Sequence, residues 1–245
     1  MSSDVSALKI SDLCVDYGNN MVLDHIDLDV KQGEVFGLMG LNGAGKTTMI
    51  KCILGLREQD SGDIQIHGQN KRSKESQMRL SYLPEKFEPP WFLTGMEFLK
   101  FSMELYQQKF NEQDMLEAAQ ALSLDQKALT RRMNTYSKGM RQKLGLMGTL
   151  LTGGDLFVLD EPMSGLDPRA RALVKKMINT MRHKDRTIFL SSHILADMDE
   201  ICDRVALLHE SKILYVGTSA DLKLKYNAEN LEQAFLDVIE GKKAA

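Results

Sequence analysis

Several features are scarce in this sequence, and each scarcity excludes something. Its 245 residues hold only three cysteines, five prolines and one tryptophan. Cys14, Cys52 and Cys202 are odd in number and far apart, without the close CxxC pairing that a zinc site or a dithiol redox motif needs. They read as reduced, mostly buried thiols. No charge of either sign dominates: 31 lysines and arginines stand against 34 aspartates and glutamates, a formal net charge of -3. A basic footprint for nucleic acid is missing, as is an acidic solubilising tail, so no nucleic acid partner is expected. Long apolar runs are missing too. The longest charge-free stretches, Val35 to Gly45 and Leu144 to Gly154, run for about eleven residues and carry glycines, against the ~20 apolar residues of a spanning helix. The opening MSSDVSALKISDL has an early acid and no apolar h-region, which predicts no secretory signal and a cytoplasmic chain. Any membrane role is then peripheral.

What is present is enough apolar residue, 43%, to bury a substantial core. At this length it predicts one domain, with room for two lobes. Leu8 to Tyr17 and Val22 to Val30 alternate apolar and polar residues, the period of half-buried strands, with Gly18-Asn19-Asn20 as a hairpin turn. Glu34 to Met39 is a short apolar strand running into glycines, and Lys46 to Leu54 has helical spacing. Further strands are predicted at Asp63 to His67 and Leu80 to Leu83. The proline-rich stretch PEKFEPPWFLT, Pro84 to Thr94, cannot be regular helix and marks a boundary. Beyond it, Thr94 to Gln107 and Glu112 to Leu122 have helical periodicity. Strands at Leu156 to Asp160 and Thr187 to Leu190 then alternate with helices at Pro168 to Arg182 and Ile194 to Glu200. A strand pair, Val205 to Leu208 and Ile213 to Val216, and two short helices over Ser219 to Ile239 complete the chain. Alternation of this kind predicts an α/β fold with a mostly parallel, doubly wound sheet. The expected division is one lobe over about 1-84 and 151-218, a helical insertion over about 85-150, and C-terminal helices over about 219-245.

The run Gly40-Leu41-Asn42-Gly43-Ala44-Gly45-Lys46-Thr47 matches GxxxxGK[ST] and lies between a predicted strand and a predicted helix, where the chemistry requires it. Glycines let the backbone turn its N–H groups onto phosphate, the helix start adds positive dipole, Lys46 reaches the outer phosphates and Thr47 offers a hydroxyl to magnesium. An ordinary glycine turn would not be flanked this way. The buried run Leu156 to Asp160 ends in Asp160-Glu161. Asp160 is placed to hold the metal and Glu161 to polarise the water that attacks the terminal phosphate. These residues define a P-loop NTPase, and a kinase, a GTPase or a motor would share them.

Four motifs narrow the choice. Thr135 to Lys143 (TYSKGMRQK) opens a helix whose Met140, Leu144, Met147 and Leu151 form one apolar face, with Ser137 as its N-cap. This segment resembles the signature of ABC-type ATPases. Asp160 to Pro168 (DEPMSGLDP) is similar to that family's acidic strand and D-loop, Ser191-Ser192-His193 to its switch region, and the phosphate loop is the fourth match. Order and spacing agree from Leu8 to about residue 240, so the sequence is identified as resembling an ABC transporter ATP-binding protein, and its signature variants Lys138 and Met140 resemble those of the branch paired with ABC-2-type permeases.

The resemblance implies a RecA-like lobe with an N-terminal antiparallel β subdomain and an inserted helical subdomain, and a magnesium-dependent ATPase. ATP and Mg2+ are the implied cofactors. It also implies a head-to-tail dimer, a homodimer or a pairing with a paralogous ATPase subunit. Ser137, Lys138, Gly139 and Met140 of one subunit would then cap the terminal phosphate held by Gly40 to Thr48 of the other. Tyr17 matches the aromatic that stacks on adenine, Glu161 the catalytic base, His193 the switch that holds the attacking water, and Asp167 a position at the dimer seam. Thr47 and Thr48 complete the loop. The family's metal-binding glutamine appears here as Glu85, its signature glycine as Lys138 and its glutamine as Met140. Phe87, Pro89, Pro90, Trp91, Phe92 and Leu93 lie where the family docks its permease. The implied partner is an ABC permease membrane subunit, which holds the chain on the inner face of the cell membrane and moves cargo outward as in the exporter-like branch. Rival readings are a cassette acting on ribosomes or DNA, which would carry a second cassette or a basic extension, a non-hydrolysing nucleotide sensor, and a nucleotide kinase, which would lack the serine helix.

Overall fold

The computed structural model describes residues 6–18, 20–182 and 186–242. The leader reading of the first five residues, Asn19 of the predicted turn and the last three residues of the tail fall outside them.

The chain opens with β1 (Ser6–Asp16) and β2 (Met21–Lys31), an antiparallel pair in which Leu8 faces Val30 and Ile10 faces Leu28. Strand β3 (Val35–Met39) is buried at every position and leads into α1 (Lys46–Ile53). Next come β4 (Ser61–Ile66), the short β5 (Gln69–Asn70), α2 (Lys74–Arg79) and β6 (Leu80–Leu83). Neither β5 nor α2 was expected from the sequence. Six residues give α2 too little apolar periodicity to register, and it is started by the Ser73 side chain accepting the Ser76 N–H.

After the proline-rich stretch, α3 (Gly95–Leu105) is set by a capping box in which the Thr94 hydroxyl accepts the Glu97 N–H and the Glu97 carboxylate accepts the Thr94 N–H. Helix α4 (Glu112–Ala121) and two 3-10 turns lead to α5 (Lys138–Leu151). The remainder is β7 (Leu156–Asp160), α6 (Pro168–Arg182), β8 (Thr187–Ser192), α7 (Leu195–Ile201), β9 (Arg204–His209), β10 (Lys212–Gly217), α8 (Ser219–Lys225) and α9 (Leu231–Ile239). The predicted strand at Thr187 runs two residues further than expected, because its polar end, Ser191 and Ser192, is buried. The predicted helix at Thr94 ends early, at Leu105, where Gln107 turns the chain at φ 56°.

Among the described residues the strands form two sheets. One is antiparallel, in the order β2-β1-β4-β5; the other runs β10-β9-β3-β8-β7-β6, parallel except for the β9/β10 pair. The fold is therefore α/β, a mostly parallel sheet with an antiparallel β subdomain. Its central strands β3, β8 and β7 are buried at every position because both faces are covered, whereas the edge strand β10 alternates exposed and half-buried residues. On β3, Phe36 and Leu38 face the core shared with the antiparallel sheet and α1, whereas Val35 and Met39 face the core shared with α5, α6, α7 and α9. Phe36 and Phe189 stack on neighbouring strands at 6.1 Å. Each such fully buried side chain contributes about 1.5–3 kcal/mol relative to exposure.

Helices α3 and α4 pack on α5, and α5 packs on β6. The helical segment is thereby tied to the sheet through one helix. Among the described residues no helix is long and apolar enough to cross a membrane.

Candidate nucleotide site

The ends of β3, β7 and β8 converge on one cavity of about 500 Å³. The phosphate loop contributes Asn42, Gly43, Gly45, Lys46, Thr47 and Thr48; opposite stand Glu85, Asp160, Glu161 and His193, and Val22 closes one side. Its size suits a nucleotide.

Local backbone chemistry explains the loop. Gly40 follows β3 so closely under β9 that a Cβ there would sit 2.6 Å from the Leu208 carbonyl oxygen. Gly45 is the N-cap of α1 at φ 109°, and its Cβ would meet the Val22 carbonyl at 2.9 Å. Only glycine takes that conformation without strain. Lys46 turns back over the loop, donating from Nζ to the carbonyls of Gly40 at 2.8 Å and Leu41 at 3.2 Å. Burial holds its amine below the usual lysine range, against the upward pull of Glu161, Asp160 and Glu85.

Asp160 ends β7 and Glu161 follows it, and both line the cavity. Burial pushes the Asp160 carboxyl up, and the neighbouring Glu85 and Glu161 push it further, while hydrogen bonds from Ser191 and Thr47 oppose the shift. After burial itself, Asp160 and Glu85 also help to push the Tyr82 phenol up to about 12. This is a cluster of carboxylates, Asp160 and Glu161 buried and Glu85 exposed, facing the Lys46 amine. Together with the Thr47 hydroxyl, which donates to Asp160 Oδ2 at 3.3 Å, it is an all-oxygen donor set suited to a hard divalent cation. The residues fit magnesium.

Glu161 occupies the left-handed region at φ 49°, strained for a non-glycine residue. Its N–H donates to Ser191 Oγ at 3.0 Å, and Ser191 Oγ in turn donates to Asp160 Oδ1 at 2.6 Å. Ser191 is thus the buried link between the two acids, a job the sequence reading did not give it. The signal was its position, one strand over from Asp160 and two residues before His193. Glu161 Oε2 lies 2.8 Å from His193 Nδ1.

The remaining predicted residues lie apart from this cavity's lining. Gly40 is buried beneath the loop, Ala44 packs on the core beside α1, and Leu41 is exposed. Tyr17 stands at the end of the antiparallel sheet with its ring half exposed. Ser137, Lys138, Gly139 and Met140 form the start of α5, where the Ser137 hydroxyl accepts the Met140 N–H at 3.2 Å. Ser137 and Lys138 are exposed, and the Lys138 ammonium lies against Gly165 in the segment after Glu161. Gln142 on the same helix donates to the Pro162 carbonyl at 3.2 Å, which ties the helix to that segment. Asp167 caps α6 by accepting the Ala170 N–H, a bond that holds its carboxyl below the usual range. The aromatic cluster divides. Phe87 packs edge-on against Phe98 and over Gly145, and Leu93 joins the core, while Trp91 and Phe92 stay exposed, edge to face at 5.7 Å.

A phosphate loop at the end of one parallel strand, with an acid pair and a histidine on the next two, defines a P-loop nucleotide-binding protein of the α/β class. Comparison with known proteins makes this specific. The ABC transporter family model matches residues 23–164. An ABC transporter ATP-binding protein of Synechocystis is 38% identical over 203 residues, covering 82% of this chain and 57% of its own length, so the match spans little more than half of that relative. The solved ATP-binding subunit of an ABC transporter superposes with a TM-score of 0.87 at 30% identity, covering 96% of this chain and all of the other. A dimeric ATP-binding cassette, solved with ADP and phosphate bound, shares the fold with a TM-score of 0.78 at 17% identity, covering 86% and 98%. The chain belongs to the ABC transporter family, as an ATP-binding cassette.

Proposed function

We propose that this chain binds and hydrolyses ATP as the motor subunit of an ABC transporter, with the closing of two cassettes driving the movement of cargo, outward, through a separate membrane permease. The observation that carries the reading is the convergence of Lys46, Thr47, Asp160, Glu161 and His193 on one cavity.

In this reading the N–H groups of Gly40 to Thr48 cradle the phosphates, and Lys46 exchanges its loop carbonyls for the outer phosphate oxygens. Thr47, Asp160 and Glu85 hold Mg2+, which when bound would offset charge on those oxygens. Glu161 takes the proton of the attacking water, and His193 orients that water through the shared carboxylate oxygen. Tyr17 stacks on the base. Ser137, Lys138, Gly139 and Met140 complete the site of a second cassette, an identical copy or a paralogue. Their distance from this chain's own cavity and the dimeric state of the related cassette support that arrangement. An open helix start is a natural phosphate cap, and the Lys138 ammonium adds charge of the right sign. Trp91 and Phe92, exposed side by side, are the anchors for a permease helix, which keeps the chain at the cytoplasmic face of the membrane.

The test is sedimentation of the wild type and of Glu161→Gln, with and without ATP and magnesium, alongside phosphate release. The expected result is a stable ATP-bound dimer of Glu161→Gln without turnover. ATP binding by the wild type with neither dimer nor phosphate release in any sample would favour a nucleotide sensor instead.

A further inference from the structure

The ring of Tyr17 has one face taken by a cation. The guanidinium carbon of Arg57 lies 3.7 Å from the ring centroid. That is direct stacking contact, with no room for a second planar group on the same side. Tyr17 nevertheless stays 49% exposed, so surface remains for a ligand on the side away from Arg57.

Arg57 is anchored at both ends. Its Nη2 donates to the Asp16 carbonyl at 2.7 Å, one residue before Tyr17. Its backbone N–H donates to the Lys51 carbonyl at 3.1 Å, in the last turn of α1. Gly55, at φ 69°, turns the chain out of that helix, and Leu56 N–H donates to the same Lys51 carbonyl at 2.9 Å. Asp60 adds a second tie to the end of β1: its carboxylate accepts the Asp16 N–H at 2.7 Å and its own N–H donates to the Cys14 carbonyl at 2.9 Å.

One helix therefore links two places. Its first residue, Lys46, lies in the phosphate loop, and the segment leaving its last turn grips the residue that carries the Tyr17 ring. Eight residues of helix make a rigid spacer of about 12 Å. We propose that Arg57 is a positioning residue for the base subsite: it fixes the ring plane of Tyr17 relative to the phosphate loop, with α1 setting the separation between base and phosphates. Arginine suits the task because its planar head can stack on the ring and donate to Asp16 at once, whereas lysine offers a point charge. The inference rests on the reading of Tyr17 as the base platform.

The experiment is equilibrium binding of ATP and of inorganic tripolyphosphate to the full chain, for the wild type, Arg57→Ala, Arg57→Lys, Tyr17→Ala and the Arg57→Ala/Tyr17→Ala double variant. Arg57→Ala should weaken ATP about three- to five-fold, the range of a partly exposed cation–π contact, and leave tripolyphosphate unchanged. Arg57→Lys should recover part of the loss, and the double variant should bind ATP no more weakly than Tyr17→Ala alone. Normal ATP binding by Arg57→Ala beside a defect in Tyr17→Ala overturns the proposal. So do fully additive defects, and so does a parallel loss of tripolyphosphate affinity, which would place the effect in the phosphate loop. Normal ATP binding by Tyr17→Ala is a different result: it removes the base platform itself.

Discussion

Glu161 and His193 share one oxygen: Glu161 Oε2 lies 2.8 Å from His193 Nδ1 and accepts the His193 backbone N–H at 3.4 Å. The two residues sit at the ends of adjacent parallel strands, and both line the cavity. In the proposed mechanism this histidine orients the acid and the water it activates. His193→Ala is expected to lower ATP turnover by about 100-fold or more, the scale of a lost acid–base partner. ATP affinity should stay within about two-fold. Steady-state phosphate release and equilibrium ATP binding on the same protein decide this, and a loss in binding equal to the loss in turnover would contradict it.

Ser191 stands between the two acids, and its removal leaves Asp160 Oδ1 and the Glu161 N–H without their partner in a buried place. Ser191→Ala should destabilise the fold by about 1–3 kcal/mol, read by urea unfolding. It should also raise the magnesium concentration needed for half-maximal turnover. Ser191→Thr keeps the hydroxyl and should restore the magnesium dependence; failure to do so would reduce Ser191 to a packing residue.

Asp160 gives the nucleotide-free protein a pH dependence of definite sign. Its folded-state carboxyl titrates above its unfolded-state value. The folded form therefore holds its proton longer, and this group's contribution is fullest below the unfolded carboxylate range and is lost as pH rises through the raised folded value. Asp160→Asn keeps an acceptor for Ser191 and removes one negative charge from the cluster with Glu85 and Glu161. Without ligand at neutral pH it should melt higher, by roughly 2–4 °C for each ~1 kcal/mol gained at this chain length, and magnesium with ATP should stabilise it less than the wild type. Thermal melts at pH 5 and pH 7.5 test both parts, since a variant that melts lower than the wild type at pH 7.5 would reverse the sign.

The divided aromatic cluster separates folding from docking. Phe87 packs on Phe98 and Gly145, so Phe87→Ala should destabilise the protein by about 2 kcal/mol or more. Trp91→Ser with Phe92→Ser removes exposed rings and should leave the melting temperature and ATP binding nearly unchanged. The same pair should abolish association with the permease in membrane pull-down and, with it, transport. Retained association would move the docking surface elsewhere.

The strand–loop–helix of the phosphate site was legible because its signals are local. An apolar run, glycines at fixed offsets and a helical repeat all lie within about twenty residues, and β3 and α1 form where that pattern predicts. The strand ending in Asp160 was equally plain from its apolar run, and the helix over Pro168–Arg182 forms with the bounds predicted for it. β5 and α2 escaped because Gln69–Asn70 has no apolar residue and Lys74–Arg79 has one, Met78, which leaves no run or period to read.

By itself, the sequence determined the kinds of chemistry on offer: a phosphate loop, an acid pair, a serine-capped helix and a lone histidine, each marked by residue type at close spacing. Only the tertiary structure decided which of them meet. Parallel pairing of β7 with β8 sets Asp160 beside Ser191 and Glu161 against His193, across some thirty residues of chain. Packing drew Phe87 inward while leaving Trp91 and Phe92 out, and it laid Arg57 across Tyr17 from the far end of α1. Strand order and side-chain packing are properties of the whole chain's burial. No local window of residues contains them, because the free energy that selects them comes from contacts between segments far apart in sequence.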